Sequence, residues 1–275
     1  MKDAGEEIKY RQLTMWDYLQ EQIAEQGAEA EVYDSQRTSE NNHASAERKM
    51  LENIVSDENL DLAMKKVKAN RGAGGIDGMT VNELEEYFRK NRESLRQSIL
   101  TGRYIPHPVK RVEIPKEKKG KVRKLGIATV VDRMIQQAIS QVIGPIYEPQ
   151  FTEHSYGFRP GKSAHQAVKQ SMEYMNAGNI WVVDLDLEQF FDKVNQSKMV
   201  QVLSNTIKDG RVISLIHKYM RAGVIIKGVY EETEEGISQG GPLSPLLSNI
   251  LLNELDQELE RRGEDISTFV TRMTV

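Results

Sequence analysis

Trp181 to Asn195 reads WVVDLDLEQFFDKVN. With Ile180 in front, Trp181, Val183, Leu185 and Leu187 recur every second residue, so a strand over Ile180 to Leu187 would gather them on one face. The opposite face of that strand would carry two carboxylates, Asp184 and Asp186. Asp186 stands at the strand's end, and Leu187-Glu188-Gln189 leads from it into Phe190-Phe191-Asp192. A strand-end carboxylate backed by bulky aromatics can hold Mg²⁺ through oxygen, and a second carboxylate nearby would complete a two-metal site for phosphoryl transfer. An aspartate in that place can equally well cap the following turn, and the stretch alone leaves both readings open.

Working outward, the chain on either side alternates helices with glycine- and proline-marked loops. From Ala46 the apolar positions Met50, Leu51, Ile54, Val55, Leu60, Leu62, Ala63 and Val67 have helical spacing, which ends at Gly72, Gly74 and Gly75. Thr80 and Glu83 have the spacing of a capping box for a helix whose apolar face is Leu84, Tyr87, Phe88 and Leu95. Val109 to Pro115 and Val122 to Ile127 read as two strands around the turn-prone Lys119-Gly120. A helix beginning near Thr129 carries Met134, Ile135, Ala138, Ile139, Val142 and Ile143, and Pro145 is expected to end it. Downstream, Ser244-Pro245 is a cap and first-turn pair for a helix turning Leu246, Leu247, Ile250, Leu251, Leu255 and Leu259 inward.

Composition narrows the class. The 275 residues are 39% hydrophobic, enough for a real core, and contain no cysteine, which excludes disulfides, thiolate zinc sites and thiol catalysis. No apolar run approaches the roughly 20 residues a membrane span requires, and the charged start Met1 to Tyr10 has no signal-peptide core, so a soluble, cytoplasmic chain with no membrane partner is expected. The net charge of −4 hides an asymmetry: residues 1–60 carry 14 Asp/Glu against 6 Lys/Arg. Arg103 to Lys124, in contrast, holds nine Lys/Arg and two Glu, a density suited to phosphate if it is more than a solvated face. The first 45 or so residues, acidic and polar with one amphipathic stretch around Leu13 to Ile23, read as a weakly ordered extension.

Five segments, in order, resemble successive blocks of group II intron reverse transcriptases. They are ANRGAGGIDGMT (Ala69 to Thr80), YIPHPVKRVEIPKEKKGKVRKLGIATVVDR (Tyr104 to Arg133), SYGFRPGKSAHQA (Ser155 to Ala167), WVVDLDLEQFFDKVN and GISQGGPLSPLLSN (Gly236 to Asn249). The fourth is similar to polymerase motif A and the fifth to motif B, and together the blocks cover roughly residues 46–263. The resemblance implies an α+β fold with reverse-transcriptase fingers over 46–178 and the first part of a right-hand palm over 179–263, without a thumb. It implies RNA-directed DNA polymerase activity with Mg²⁺, together with maturase-type binding of intron RNA. The partners so implied are intron RNA, an RNA template with a DNA primer, and deoxynucleoside triphosphates.

Carried onto this chain, the resemblance makes Asp186 the catalytic, metal-binding aspartate, with the Leu187 carbonyl as an additional ligand. Phe191 would lie beneath the incoming sugar and exclude a 2′-hydroxyl. Lys116 and Arg123 would clamp the triphosphate, and Gln239 and Gly240 would line the nucleotide pocket. Arg111, Arg159 and Lys162 would contact nucleic acid. Read without the resemblance, Gly157 to Ser163 suggests a phosphate loop, but it has one residue too few between its glycines. Two other classes stay open: a non-catalytic RNA-binding fragment, and another bacterial lineage such as retron or diversity-generating reverse transcriptases.

In the family, motif B is followed by a Tyr-Ala-Asp-Asp hairpin, and the 275 residues hold no such box. Codons that spell Asp265 to Val275 can, read one nucleotide earlier, spell Gly-Tyr-Lys-Tyr-Ile-Cys-Tyr-Ala-Asp-Asp-Cys. Residues 264–275 are therefore expected to be a frameshifted tail, and this truncated chain is expected not to polymerise.

Overall fold

The computed structural model describes residues 49–115, 122–179, 182, 185, 187 and 189–262. The expected extension with its Leu13 to Ile23 stretch, the Lys119-Gly120 turn and the tail lie outside the described residues.

The first apolar run forms two helices rather than one, α1 (Met50–Ile54) and α2 (Asp57–Ala69). Ser56 causes the break: its backbone is extended and its hydroxyl accepts the Asn59 N–H at 3.3 Å, capping α2 ahead of Asp57 and Glu58. The buried stripe of α2 is Leu60, Ala63 and Val67. Leu62, expected inward, is 47% exposed because it sits about 200° around the helix from Leu60. The third helix, α3 (Leu84–Leu100), buries Leu84, Phe88, Leu95 and Ile99. Only half of its capping box forms. Glu83 accepts the Thr80 N–H at 2.8 Å, while the Thr80 hydroxyl donates to the same carboxylate instead of accepting an amide.

The basic segment is the hairpin β1 (Val109–Pro115) and β2 (Val122–Ile127), antiparallel, with Arg111 opposite Gly126 and Ile114 opposite Arg123. Two short strands absent from the sequence reading, β3 (Val224–Ile226) and β4 (Val229–Glu231), extend it to a sheet in the order β2-β1-β3-β4. The β1–β3 pair is parallel, with Val109 opposite Val224. One sheet thus joins strands from both sides of the expected division at residues 178 and 179.

Helix α4 (Val130–Tyr147) is the core helix, packed on α1 and α2 and buried at Val130, Met134, Ile135, Ala138, Ile139 and Ile143. Each of the valine, isoleucine and methionine side chains removed from water contributes about 1.5–3 kcal/mol, which is why this segment organises the helical layer. Pro145 does not end the helix. It removes one donor in the last turn, while burial of Ile143 and Tyr147 carries the helix on to Tyr147. A 3₁₀ turn, Glu148–Gln150, follows.

The remaining helices are α5 (Ala164–Asn176), α6 (Phe190–Lys193), α7 (Gln196–Thr206), α8 (Gly210–Met220) and α9 (Ser244–Arg261). Ser163, Asn195 and Asp209 cap α5, α7 and α8. Ser244 was expected to cap α9 but is its first residue, and its hydroxyl donates to the Ser238 carbonyl at 2.5 Å, fastening the preceding loop. On α9, Leu247, Ile250 and Leu251 are buried, while Leu246, Leu255 and Leu259 are half-buried.

Of the expected strand Ile180 to Leu187, only Val182, Leu185 and Leu187 are described. Leu185 is exposed rather than inward. No helix among the described residues is long and apolar enough to cross a membrane.

Candidate functional site

A cleft of about 590 Å³ opens between the hairpin strands, the Phe191-Asp192 turn, the end of α8 and the loop Glu231 to Gln239. Its hairpin wall presents Arg111, Lys124 and Gly126. Facing them are Phe191 and Gln239, with Glu231, Glu232, Glu234 and Glu235 along the rim.

Glycines permit this convergence. The Gly126 N–H donates to the Gln239 carbonyl at 2.7 Å, and a Cβ at Gly126 would lie 2.3 Å from the Ser238 hydroxyl. Gly240 has φ +117°, and a Cβ there would come within 3.1 Å of the Gly126 carbonyl. Gly240 therefore makes room for β2 of the protein itself and is not part of the cleft lining. On the other side, Gly236 (φ +83°) lets the loop lie on the motif A turn, where a Cβ would stand 2.7 Å from the Phe191 carbonyl. The Ile237 N–H donates to that carbonyl at 2.8 Å, and the Gly236 N–H to the Val194 carbonyl at 2.7 Å.

Phe191 makes an edge-to-face contact with Phe190, ring centroids 5.4 Å apart. Arg111 is largely buried, with its Nη1 4.0 Å from Asp192 Oδ1, and its Nε has no hydrogen-bond partner among the described residues. Because that Nε is buried, contact with an anion in the cleft falls to the Nη nitrogens of the guanidinium.

The structure brings together Arg111, Phe191 and Gln239, and adds Lys124. Arg123 lies on the other side of the β2 pleat and does not line the cleft. Arg159 is turned inward: it pairs with Glu148 at 2.8 Å, donates to the carbonyls of Thr152 and Ser155, and lies over the Phe151 ring. A guanidinium satisfied in this way fastens its own loop and is not available to a template. Lys162 donates to the Glu153 carbonyl at 2.9 Å and stacks on Tyr156 while remaining partly exposed. Lys116 and Asp186 lie outside the described residues, and Leu187 is half-buried. Among the described residues, no group of three or more His, Asp or Glu could hold a metal ion.

Two supports of the cleft went unnoticed in the sequence. Buried Gln196 donates from one amide nitrogen towards three carbonyls, Gly236 (3.0 Å), Met220 (3.1 Å) and Thr233 (3.4 Å). Buried Asp132 accepts from the Tyr104 and Thr129 hydroxyls, each at 2.7 Å, and from the His107 N–H at 3.2 Å. Burial, then the Asp132 charge, drives the Tyr104 phenol pKa far above its ordinary value, and burial does the same to Tyr219, which lines the cleft. Nothing in local pattern marks either residue, since a lone Gln or Asp in a helix's first turn is common.

The family described as "Reverse transcriptase (RNA-dependent DNA polymerase)" matches residues 114–270, a span that contains β2, the Phe191 turn and the Gln239 loop. The chain belongs to the reverse transcriptase family. Within the family it groups with group II intron-encoded reverse transcriptases and maturases. It is 36% identical over 196 residues to the group II intron-encoded protein LtrA of Lactococcus lactis subsp. cremoris, covering 71% of this chain and 32% of LtrA. Protein YkfC of Escherichia coli (strain K12) is 37% identical over 221 residues, covering 78% of this chain and 58% of YkfC. The putative COX1/OXI3 intron 2 protein of Saccharomyces cerevisiae is 33% identical, covering 82% of this chain and 27% of its own length. The chain thus spans between about a quarter and three-fifths of these relatives. Among solved structures, a chain of the partial Cas6-RT-Cas1–Cas2 complex superposes with TM-score 0.53 at 24% identity, covering 80% of this chain and 36% of that one, which bears on the fold alone. The α+β architecture is that of this reverse transcriptase fold.

Proposed function

We propose that the cleft is the nucleotide side of an RNA-directed DNA polymerase encoded by a group II intron, with fingers over 46–178 and the first part of the palm over 179–263. The observation that carries this reading is the meeting of Arg111, Lys124, Phe191 and Gln239 around one cleft, although they come from three separate blocks of the sequence. In this reading the hairpin wall of Arg111 and Lys124 receives the triphosphate, Lys116 acts from the same hairpin while Arg123 is turned away from the cleft, and Phe191 lies beneath the sugar, where a 2′-hydroxyl would collide with its ring. Gln239 borders the nucleotide, and Gly240 holds the Gln239 loop against β2.

Asp186 with the Leu187 carbonyl offers the oxygen donors a hard dication takes, so Mg²⁺ is the metal this reading implies. Mg²⁺ bound there would neutralise charge on the phosphates. The reaction is attack of a primer 3′-oxygen on the α-phosphorus with pyrophosphate leaving, and the residues of this chain orient that phosphate and select the sugar. Intron RNA, an RNA template and a DNA primer are the nucleic-acid partners proposed, with Lys162 on the exposed side of its loop.

The test is a titration of the protein with a fluorescent deoxynucleoside triphosphate and with its ribonucleotide counterpart. Arg111→Ala should weaken both about tenfold or more, the loss of a charge-assisted contact. Phe191→Ala should strengthen the ribonucleotide relative to the deoxynucleotide. Equal affinities in wild type and both variants would reject this assignment of the cleft.

A further inference from the structure

The block SYGFRPG contains an oddity that the nucleotide cleft does not absorb. Phe158 has φ +56°, in the left-handed region where a bulky side chain is strained, and its side chain is 50% exposed. A glycine would occupy this backbone freely, and an apolar ring gains little from standing in water, so local folding explains neither choice.

Everything around Phe158 is built to hold it still. Arg159 locks the turn from inside through Glu148, Thr152 and Ser155. The Asn249 side chain of α9 donates to the Gly157 carbonyl at 2.9 Å, tying the turn to the motif B helix. Tyr156, on the other side of Gly157, is buried under the Lys162 ammonium. Lys162 and Lys169 supply positive charge on the turn and on α5; between Glu153 and Glu173 the chain has no Asp or Glu, and Lys169, 81% exposed, lies 3.9 Å from Glu173.

We propose that Phe158 is a stacking platform for one unpaired base of a single-stranded nucleic acid, whose phosphates run past Lys162 and Lys169. An aromatic ring fixed beside positive charge is the chemistry that binds single strands with little regard to sequence, because every base offers a π face and every phosphate a negative charge. Arg159, expected from the sequence to touch the template, is instead the residue that positions the ring. The proposal rests on the nucleic-acid reading above and names the contact that reading lacked.

The test is fluorescence anisotropy of a labelled single-stranded RNA against wild type, Phe158→Ala, Phe158→Gly and Phe158→Trp, with a thermal melt of each. Phe158→Ala should lose about tenfold in affinity, one base stack, with the salt dependence of binding unchanged because no charge is removed. Phe158→Gly should bind as weakly as the alanine variant yet melt no lower than wild type, because glycine relieves the strain. Phe158→Trp should keep affinity, and RNA should quench the added indole emission beyond any change in the wild-type signal. RNA affinity equal in wild type and Phe158→Ala would overturn the stacking role and leave the family reading standing. So would an unquenched Phe158→Trp, or a drop in sedimenting mass for Phe158→Ala with RNA affinity intact, which would make the ring a protein contact. Failure of wild type to bind RNA would overturn the nucleic-acid reading together with this proposal.

Discussion

The Gly126 N–H points out of strand β2 and donates to the carbonyl of Gln239 at 2.7 Å. That bond joins the basic hairpin to the loop ahead of α9, so the two walls of the cleft share a main-chain contact and their spacing depends on glycine. Gly126→Ala would push a methyl to within 2.3 Å of the Ser238 hydroxyl and 2.8 Å of Val109 Cγ2. The expected cost is about 1–3 kcal/mol of stability with clear loss of nucleotide affinity. Adding Ser238→Gly should return part of both, and a double-mutant cycle by denaturant titration measures the coupling.

Gln196 should act on the same loop from below. Gln196→Leu keeps roughly the volume and removes the amide that the carbonyls of Gly236, Met220 and Thr233 share. The Met220 carbonyl keeps the Thr233 hydroxyl, so the buried Gly236 carbonyl bears most of the loss, about 1–3 kcal/mol, and the loop should loosen before the helices do. Hydrogen exchange at Ile237 and Gly236, whose amides bond to Phe191 and Val194, should accelerate more than exchange in α4. Uniform acceleration across the chain would count against a local role.

Asp132 is fully buried and serves donors from Tyr104, Thr129 and His107. Asp132→Asn turns one acceptor into an NH₂ that faces those donors. A loss of about 2–3 kcal/mol is expected, read as a fall in Tm of about 5–10 °C. Tyr104→Phe should cost less, because the carboxylate keeps its other partners.

The Arg211 guanidinium bridges Glu52 of α1 and the α8 cap Asp209, with contacts of 2.7 Å and 2.9 Å, and the Leu51 N–H also donates to Asp209. The Arg211 hydrogen bond draws the Glu52 pKa below its ordinary 4.5. Burial alone would raise the Asp209 pKa, but Arg211 and the Leu51 amide outweigh it and the result lies below 3.8. Both folded-state values are depressed, so the stability they contribute is complete above those ordinary values and is lost as pH falls through the lower folded ones. The urea midpoint should therefore drop in that acid window. Arg211→Ala should flatten the dependence and, the arginine being 43% exposed, cost only about 1–2 kcal/mol at neutral pH. An unchanged acid slope in the variant would remove these carboxylates from the account.

In the proposed reading Asp186 serves the metal and not the binding of RNA, so salt-sensitive RNA binding should survive Asp186→Ala. Loss of RNA affinity in that variant, measured by anisotropy across a salt series, would remove this division of roles.

Local pattern sufficed for both strands of the basic hairpin to the residue and for the start and buried stripe of α4, while the α+β class came from the family resemblance. The α4 stripe is a period of side chains along one element, and such a period is written in the sequence. The family resemblance pointed to Phe191 and Gln239, and the cleft joins them. Where the sequence left a residue's direction open, tertiary structure decided. Val122-Arg123-Lys124-Leu125 has no clean alternation, so only pairing with β1 and docking of the Gln239 loop set which cation faces the cleft, and it is Lys124. The three-residue strands β3 and β4 are too short to carry a period and exist because β1 offers Val224 a parallel edge. The Arg159 side chain turns inward because Glu148, eleven residues earlier and at the end of α4, waits there with two loop carbonyls. The sequence determined the elements long enough to carry a side-chain period and the chemistry their residues bring. Which way an arginine points is settled by the partners folding brings within 3 Å of it, and those partners come from elsewhere in the chain.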